Sequence, residues 1–190
     1  MSYSNEQFEK DVILFNQCCG SKLPTEDMTT DEIKAIIQRQ VKIVNEELLE
    51  TITALSEGNI VELLDGLVDV RYTLVWLKEI SKVADKLPNA PIMDHSLNGW
   101  LEVMRVALNE CRDVFPEDVI LEASRRVAEN NNSKFTTDCS VAQEWADGVD
   151  FMVKIEEAVV DGVSYYSIKD TLGKIRKHAG FVGVDLGDLV

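Results

Sequence analysis

Two short stretches concentrate carboxylates at spacings that could hold a divalent cation: Asn45-Glu46-Glu47-Leu48-Leu49-Glu50 and Glu62-Leu63-Leu64-Asp65-Gly66-Leu67-Val68-Asp69. On a helix turning about 100° per residue, Glu46, Glu47 and Glu50 fall within roughly 100° of arc, and Glu62, Asp65 and Asp69 within about 60°. Like charges held this close repel by kcal/mol amounts unless neutralised. Mg²⁺, with Mn²⁺ able to substitute, suits such a cluster, because a hard cation prefers carboxylate oxygen and water. A spare carboxylate beside it could serve as general base toward a water attacking phosphorus. The bland alternative is a solvated acidic face, which usually carries Lys or Arg four residues on. Here those partners are scarce: four residues after Glu46, Glu47 and Glu50 come Glu50, Thr51 and Ala54, and four after Asp65 comes Asp69. Lys42 and Arg71 are the nearby bases. Spacing alone leaves both readings open.

The elements that must position these acids are helices. A stripe of Phe8, Val12, Phe15 and Cys19 runs from Gln7 to Cys19 and ends at Gly20 and Pro24. Thr29 and Thr30 offer N-cap oxygens, with Asp31 and Glu32 in the favoured first turn. A long helix should follow through Ile33, Ile36, Ile37, Val41, Val44, Leu48, Ile52 and Leu55, broken at Gly58-Asn59. The next, Ile60 to about Asp85, carries Leu64, Leu67, Val68, Val75 and Leu77 as core candidates. So short a break predicts an antiparallel pair with its two acidic faces opposed. Leu87 to Pro91 reads as a loop, Leu97 to Cys111 as a helix, and Pro116 to Val127 as a shorter one. Strand signals come late, at Phe151–Val160 and Ser164–Ile168, around an Asp161-Gly162 turn, though Glu156-Glu157-Ala158 could equally be helical. Glycine recurs from Gly173 to Gly187, as in an irregular tail.

Composition narrows the partners. With 34 acidic against 19 basic residues the net charge is −15, a surface that repels nucleic acid and anionic membranes. A nucleotide is an anion too, so an acidic pocket can hold one only with cations between them. No apolar run approaches the ~20 residues of a membrane span, and Met1 to Lys10 lacks the apolar core of a secretory signal. Cys18, Cys19, Cys111 and Cys139 form no C-x-x-C pair and stand apart in sequence from His95 and His178, so zinc is poorly supported. A reduced, cytoplasmic protein is expected. Trp76, Trp100 and Trp145 read as core or interface residues, and His178, in a basic stretch, as a surface residue.

The order of these residues resembles the all-α NTP pyrophosphohydrolase superfamily, which includes MazG-like enzymes and phosphoribosyl-ATP pyrophosphohydrolase. Its signature is E-E-x-x-E on one helix and E-x-x-D on the next. Glu46-Glu47-Leu48-Leu49-Glu50 matches the first part. In the second, taking Asp69 as the aspartate puts Gly66 where a glutamate should stand; taking Asp65 makes Glu62 the glutamate but misplaces Tyr72. Asp65 and Asp69 are the preferred pair, with Glu62 second. Val127 to Lys134 is similar to the V-x-x-x-N-x-S-K segment of phage-type members. Gly173-Lys174-Ile175-Arg176-Lys177 and Val184-Asp185-Leu186 look like their G-K-x-x-K and P-D-L segments, with Val184 for the proline and Phe181 as the aromatic.

The resemblance implies an all-α fold, an antiparallel helical bundle of MazG-like type with room for a small C-terminal hairpin and an irregular tail. One domain would span 1–190, with a helical core over about 6–127 and a substrate-closing segment over about 128–190. It implies Mg²⁺ on Glu47, Glu50, Asp65 and Asp69, with Glu62 a weaker ligand and Glu46 handling the attacking water. Asn131, Ser133, Lys134, Lys174 and Lys177 would bind the nucleotide. The reaction implied is hydrolysis of a nucleoside or deoxynucleoside triphosphate to monophosphate and pyrophosphate, in a homodimer or homotetramer, and in a host cytoplasm if phage-encoded. The alternatives are phosphoribosyl-ATP as substrate, or a non-catalytic acidic helical adaptor.

Overall fold

The computed structural model describes residues 3–91, 109 and 113–190. The helix expected over 97–111, with Trp100 and Cys111, lies outside the described residues except for Asn109, as does His95. Among the described residues the elements are α1 (Asn5–Cys18), α2 (Thr30–Glu57), α3 (Ile60–Ala84), α4 (Glu117–Asn132), α5 (Cys139–Asp147), β1 (Lys154–Val160) and β2 (Val163–Lys169), with a 3₁₀ turn at Gly187–Leu189. No helix among them is long and apolar enough to cross a membrane. The chain divides into two compact units. Unit 1 comprises Met1–Asn5, Leu23–Ser124 and Leu186–Val190; unit 2 comprises Glu6–Lys22 and Arg125–Asp185.

The all-α expectation is corrected: the chain is mostly helical but carries an antiparallel sheet, β1 on β2. The physical cause lies in residues 154–169. Ile155, Val159, Val160, Val163, Tyr165, Tyr166 and Ile168 are β-branched or aromatic types that favour a pleated surface. Between the strands Asp161 and Gly162 have φ of 50° and 79°, the paired positive values of a type I′ hairpin turn. The expected MazG-like bundle type is not supported by this architecture either.

Unit 1 is built on the α2–α3 hairpin. Thr29 caps α2 in a reciprocal box: its hydroxyl accepts from Glu32 N at 3.3 Å, and Glu32 Oε2 accepts from Thr29 N at 2.8 Å. Gly58 ends the helix in the left-handed region at φ 69°, and Asn59 caps α3 by accepting from Glu62 N. The helices run antiparallel: Gly66 faces Thr51, whereas Thr73, further along α3, accepts from Gln40, further back on α2. Ile33, Ile37, Val44, Leu64, Leu67, Val68, Trp76, Leu77 and Ile80 form the core of this unit. Ile52 and Leu55, expected in the same stripe, are instead 46% and 49% exposed. Arg71 donates to Ser124 Oγ at 2.7 Å and to Asn5 Oδ1 at 2.8 Å.

Unit 2 holds the sheet, α5 and most of α1. Helix α5, which the sequence pattern did not announce, starts at Asp138, whose carboxylate accepts from Ser140 N at 2.8 Å. Nine residues with Ala142 alone buried leave no legible stripe. Beyond β2, Asp170 Oδ1 accepts from Leu172 N and Lys174 N, and Asp170 Oδ2 pairs with Arg176 Nη2 at 2.9 Å. These bonds, the Lys174 amide first, hold the Asp170 carboxyl below the usual carboxylate range. They order a turn at Gly173 where irregular chain was expected.

The buried cation of unit 2 is Lys169, which donates to Glu156 Oε1 at 2.6 Å and to the Cys19 carbonyl at 3.0 Å. That ammonium is the main reason the Glu156 carboxyl lies below its ordinary range. Lys169→Met is expected to cost about 1–3 kcal/mol of unfolding free energy at pH 7, less than a fully buried pair because Glu156 keeps solvent access. A depressed folded pKa stabilises above the unfolded value and ceases to do so as pH falls through the folded one. The gap between wild type and variant in urea titrations should therefore narrow on acidification below about pH 4. A gap that widened there would refute this account.

Candidate functional site

Glu47 and Glu50 on α2 and Glu62 and Asp65 on α3 flank a close approach of the two helices at Thr51 and Gly66. A Cβ built on Gly66 would lie 2.6 Å from Thr51 Oγ1 and 3.1 Å from Thr51 Cα, so the backbones can approach only because residue 66 has no side chain. Thr51 is fully buried and donates to Glu47 O at 2.8 Å. Glu47 and Glu50 precede it on α2; Glu62 and Asp65 precede Gly66 on α3. Gly66 thus serves the packing of the hairpin and is not a vacancy in a ligand set.

Glu47 and Asp65 are half-buried, and Glu46, Glu50 and Glu62 are exposed. Burial pushes the Glu47 carboxyl up, and the charges of Glu50, Asp65 and Glu46 push it further. Asp65 is raised likewise, by burial first and then by Glu62 and Glu50. Each therefore feels carboxylates from both helices, with Glu50 acting on the two of them. Among the described residues none of Glu47, Glu50, Glu62 and Asp65 takes part in an ion pair, whereas Glu46 meets Lys42 at 3.6 Å on the exposed face. Asp69, one turn beyond Asp65, is half-buried, and its carbonyl accepts from Thr73.

By donor chemistry the set fits a hard divalent cation: oxygen ligands, excess negative charge and partial burial. The side chains are not already gathered for it. Among the described residues no three of His, Cys, Asp and Glu stand where they could hold one ion together.

The expected phosphate-binding residues all lie on unit 2. Asn131 is in the last turn of α4, which runs past Val127 to Asn132. Its Oδ1 accepts from Lys134 Nζ at 2.6 Å. Lys134 Nζ is 5.5 Å from the Phe15 and Phe181 ring centroids, and Lys177 Nζ is 4.7 Å from that of Phe181. Two ammonium groups thus share one ring. Ser133 is exposed and donates to Asn130 O, closing the helix end. Lys174 contributes its backbone to the Asp170 turn and leaves its side chain exposed.

His178, read as a surface residue, is stacked on Trp145 at 4.4 Å and 10° and meets Phe181 edge-on. No local pattern announces that pairing, because Trp145 lies on the unannounced α5 and His178 in the tail. Burial holds the Cys18 and Cys19 thiols up at about 11 and about 12, so neither offers a thiolate at neutral pH.

No family model, curated protein or solved structure matches the chain.

Proposed function

We propose that the chain is a Mg²⁺-dependent nucleoside triphosphate pyrophosphohydrolase, working as a homodimer or homotetramer in cytoplasmic control of nucleotide pools. The observation that carries this reading is that Glu47 and Asp65 are both raised, by burial first and then by carboxylates of the two helices, with no basic side chain paired to either among the described residues. Half-buried acids pressed further by neighbouring carboxylates attract cations. Glu47, Glu50, Asp65 and Asp69, with Glu62 in support, would hold the metal. Bound there, Mg²⁺ would neutralise the acids and share the charge of the triphosphate.

Glu46 would orient the attacking water and accept its proton. The new bond joins the water oxygen to the α-phosphorus; the bond that breaks links that phosphorus to the bridging oxygen, which leaves with pyrophosphate. Asn131, Ser133, Lys134, Lys174 and Lys177 would donate to phosphate oxygens. Lys134 and Lys177 are best supported, by their shared position at Phe181.

Incubation with each NTP and dNTP plus Mg²⁺, with products separated, is expected to yield monophosphate and pyrophosphate from at least one of them. Diphosphate plus phosphate would overturn the assigned cleavage site. Phosphoribosyl-ATP belongs in the panel as the nearest alternative substrate. The rival of a different class is a non-catalytic acidic adaptor, favoured by the exposure of Glu46, Glu50 and Glu62. It requires that no triphosphate be turned over, that Mg²⁺ not bind, and that Glu50→Gln change nothing.

A further inference from the structure

Unit 2 contains a cleft of about 320 Å³ that the proposed chemistry does not use. Its size lies at the lower end of small-molecule sites, about 300–1,000 Å³. Leu14, Phe135 and Tyr165 give it apolar surface; Thr136, Thr137 and Asn132 give it polar groups. The wall is fixed in place. Thr136 exchanges both backbone hydrogen bonds with Tyr166, at 3.0 and 2.7 Å, and Phe135 packs edge-on against Phe15 at 5.5 Å. Among the described residues no lysine or arginine lines the cleft, so a phosphate group is not its natural occupant.

The informative atom is Asn132 Oδ1, which is buried and has no hydrogen-bond partner among the described residues. A buried acceptor left unsatisfied is rare and calls for an explanation, of which a partner from outside the chain is one. Asn132 sits both at the end of α4 and in the wall of the cleft.

We propose that this cleft binds a planar heterocycle of nucleobase size. Phe135 and Tyr165 offer it apolar contact, the threonine hydroxyls adapt as donors or acceptors, and Asn132 turns its amide oxygen to accept a ligand N–H. A purely aliphatic ligand would bring no donor to that oxygen. Taking the heterocycle to be a nucleobase rests on the nucleotide reading above; holding one needs neither the carboxylates nor a metal.

The test uses the full chain in EDTA with free nucleosides, followed by saturation-transfer NMR, with ribose 5-phosphate as the control. At least one nucleoside should bind and the control should not. Asn132→Leu removes the acceptor at similar volume, so it should weaken binding by about tenfold or more without lowering the melting temperature. Thr137→Trp, at an exposed position on the rim, should block the cleft if Asn132→Leu does not fold. Absence of nucleoside binding to the folded wild type, or binding unchanged in both variants, overturns the proposal. Triphosphate hydrolysis without nucleoside binding overturns the cleft assignment alone. Nucleoside binding without hydrolysis supports the cleft and removes only the catalytic reading.

Discussion

Asp65→Asn is expected to lower triphosphate hydrolysis by about 10²–10³-fold, the scale of removing one group that stabilises developing charge, while making the metal-free chain more stable. The two effects share one cause. In the folded chain the Asp65 carboxyl is raised, first by burial and then by Glu62 and Glu50. The folded state therefore binds that proton more tightly than the unfolded state does, and ionisation costs stability. This cost is absent below the ordinary carboxylate range near about pH 4. It grows as pH rises toward the raised folded value and is complete above it. The amide removes both the charge and its cost, a gain of about 0.5–2 kcal/mol at neutral pH in EDTA. Glu47→Gln should behave alike, since Glu47 is raised by burial and by Glu50, Asp65 and Glu46.

Mg²⁺ distinguishes this account from simple surface-charge relief. A cation bound only by the folded chain stabilises it by RT ln(1 + [L]/Kd), about 2.7 kcal/mol at a hundredfold excess over Kd. Thermal melts of the wild type should rise with Mg²⁺ and those of Asp65→Asn should barely move. A variant that is less stable than wild type in EDTA at pH 7 would contradict the burial and repulsion that raise Asp65.

The hairpin that carries these acids is legible in the sequence because its signals are local. Thr29 with Glu32, Gly58 with Asn59, and the apolar spacing through Val44 and Leu64 each act within one or two helical turns. The outer end of the stripe is not legible: Ile52 and Leu55 have the right spacing but no covering element among the described residues, and spacing carries no information about cover. The sheet is visible as a hairpin signal but is outweighed by the all-helical resemblance, although Asp161-Gly162 already fits a type I′ turn. On unit 2 the expected cations separate by a fact no spacing could supply. Lys134 and Lys177 meet at Phe181 through the path of the tail, while Lys174 turns away in the Asp170 loop. Asn132, adjacent to the expected Asn131, gives no sequence signal because its significance lies in an unmet hydrogen bond rather than in a motif.

Gly66 offers the strictest test of the hairpin's geometry. At an ordinary helix position Gly→Ala stabilises by about 1 kcal/mol through propensity. Here the added methyl would lie 2.6 Å from Thr51 Oγ1 and 3.1 Å from Thr51 Cα, so the sign should reverse. Gly66→Ala is expected to cost about 1–3 kcal/mol by overpacking. Gly66→Glu, the change that would complete an E-x-x-D with Asp69, should cost more, because it also drives a charge into the helix interface. It should lower hydrolysis and not raise it. Thr51→Ala removes the nearer clash but leaves the Thr51 backbone where it stands, so a double-mutant cycle in urea should show partial rescue of Gly66→Ala. If Gly66→Ala proves neutral or stabilising, the two backbones do not approach as closely as the acids' shared field requires, and the convergence of Glu47, Glu50, Glu62 and Asp65 loses its structural basis.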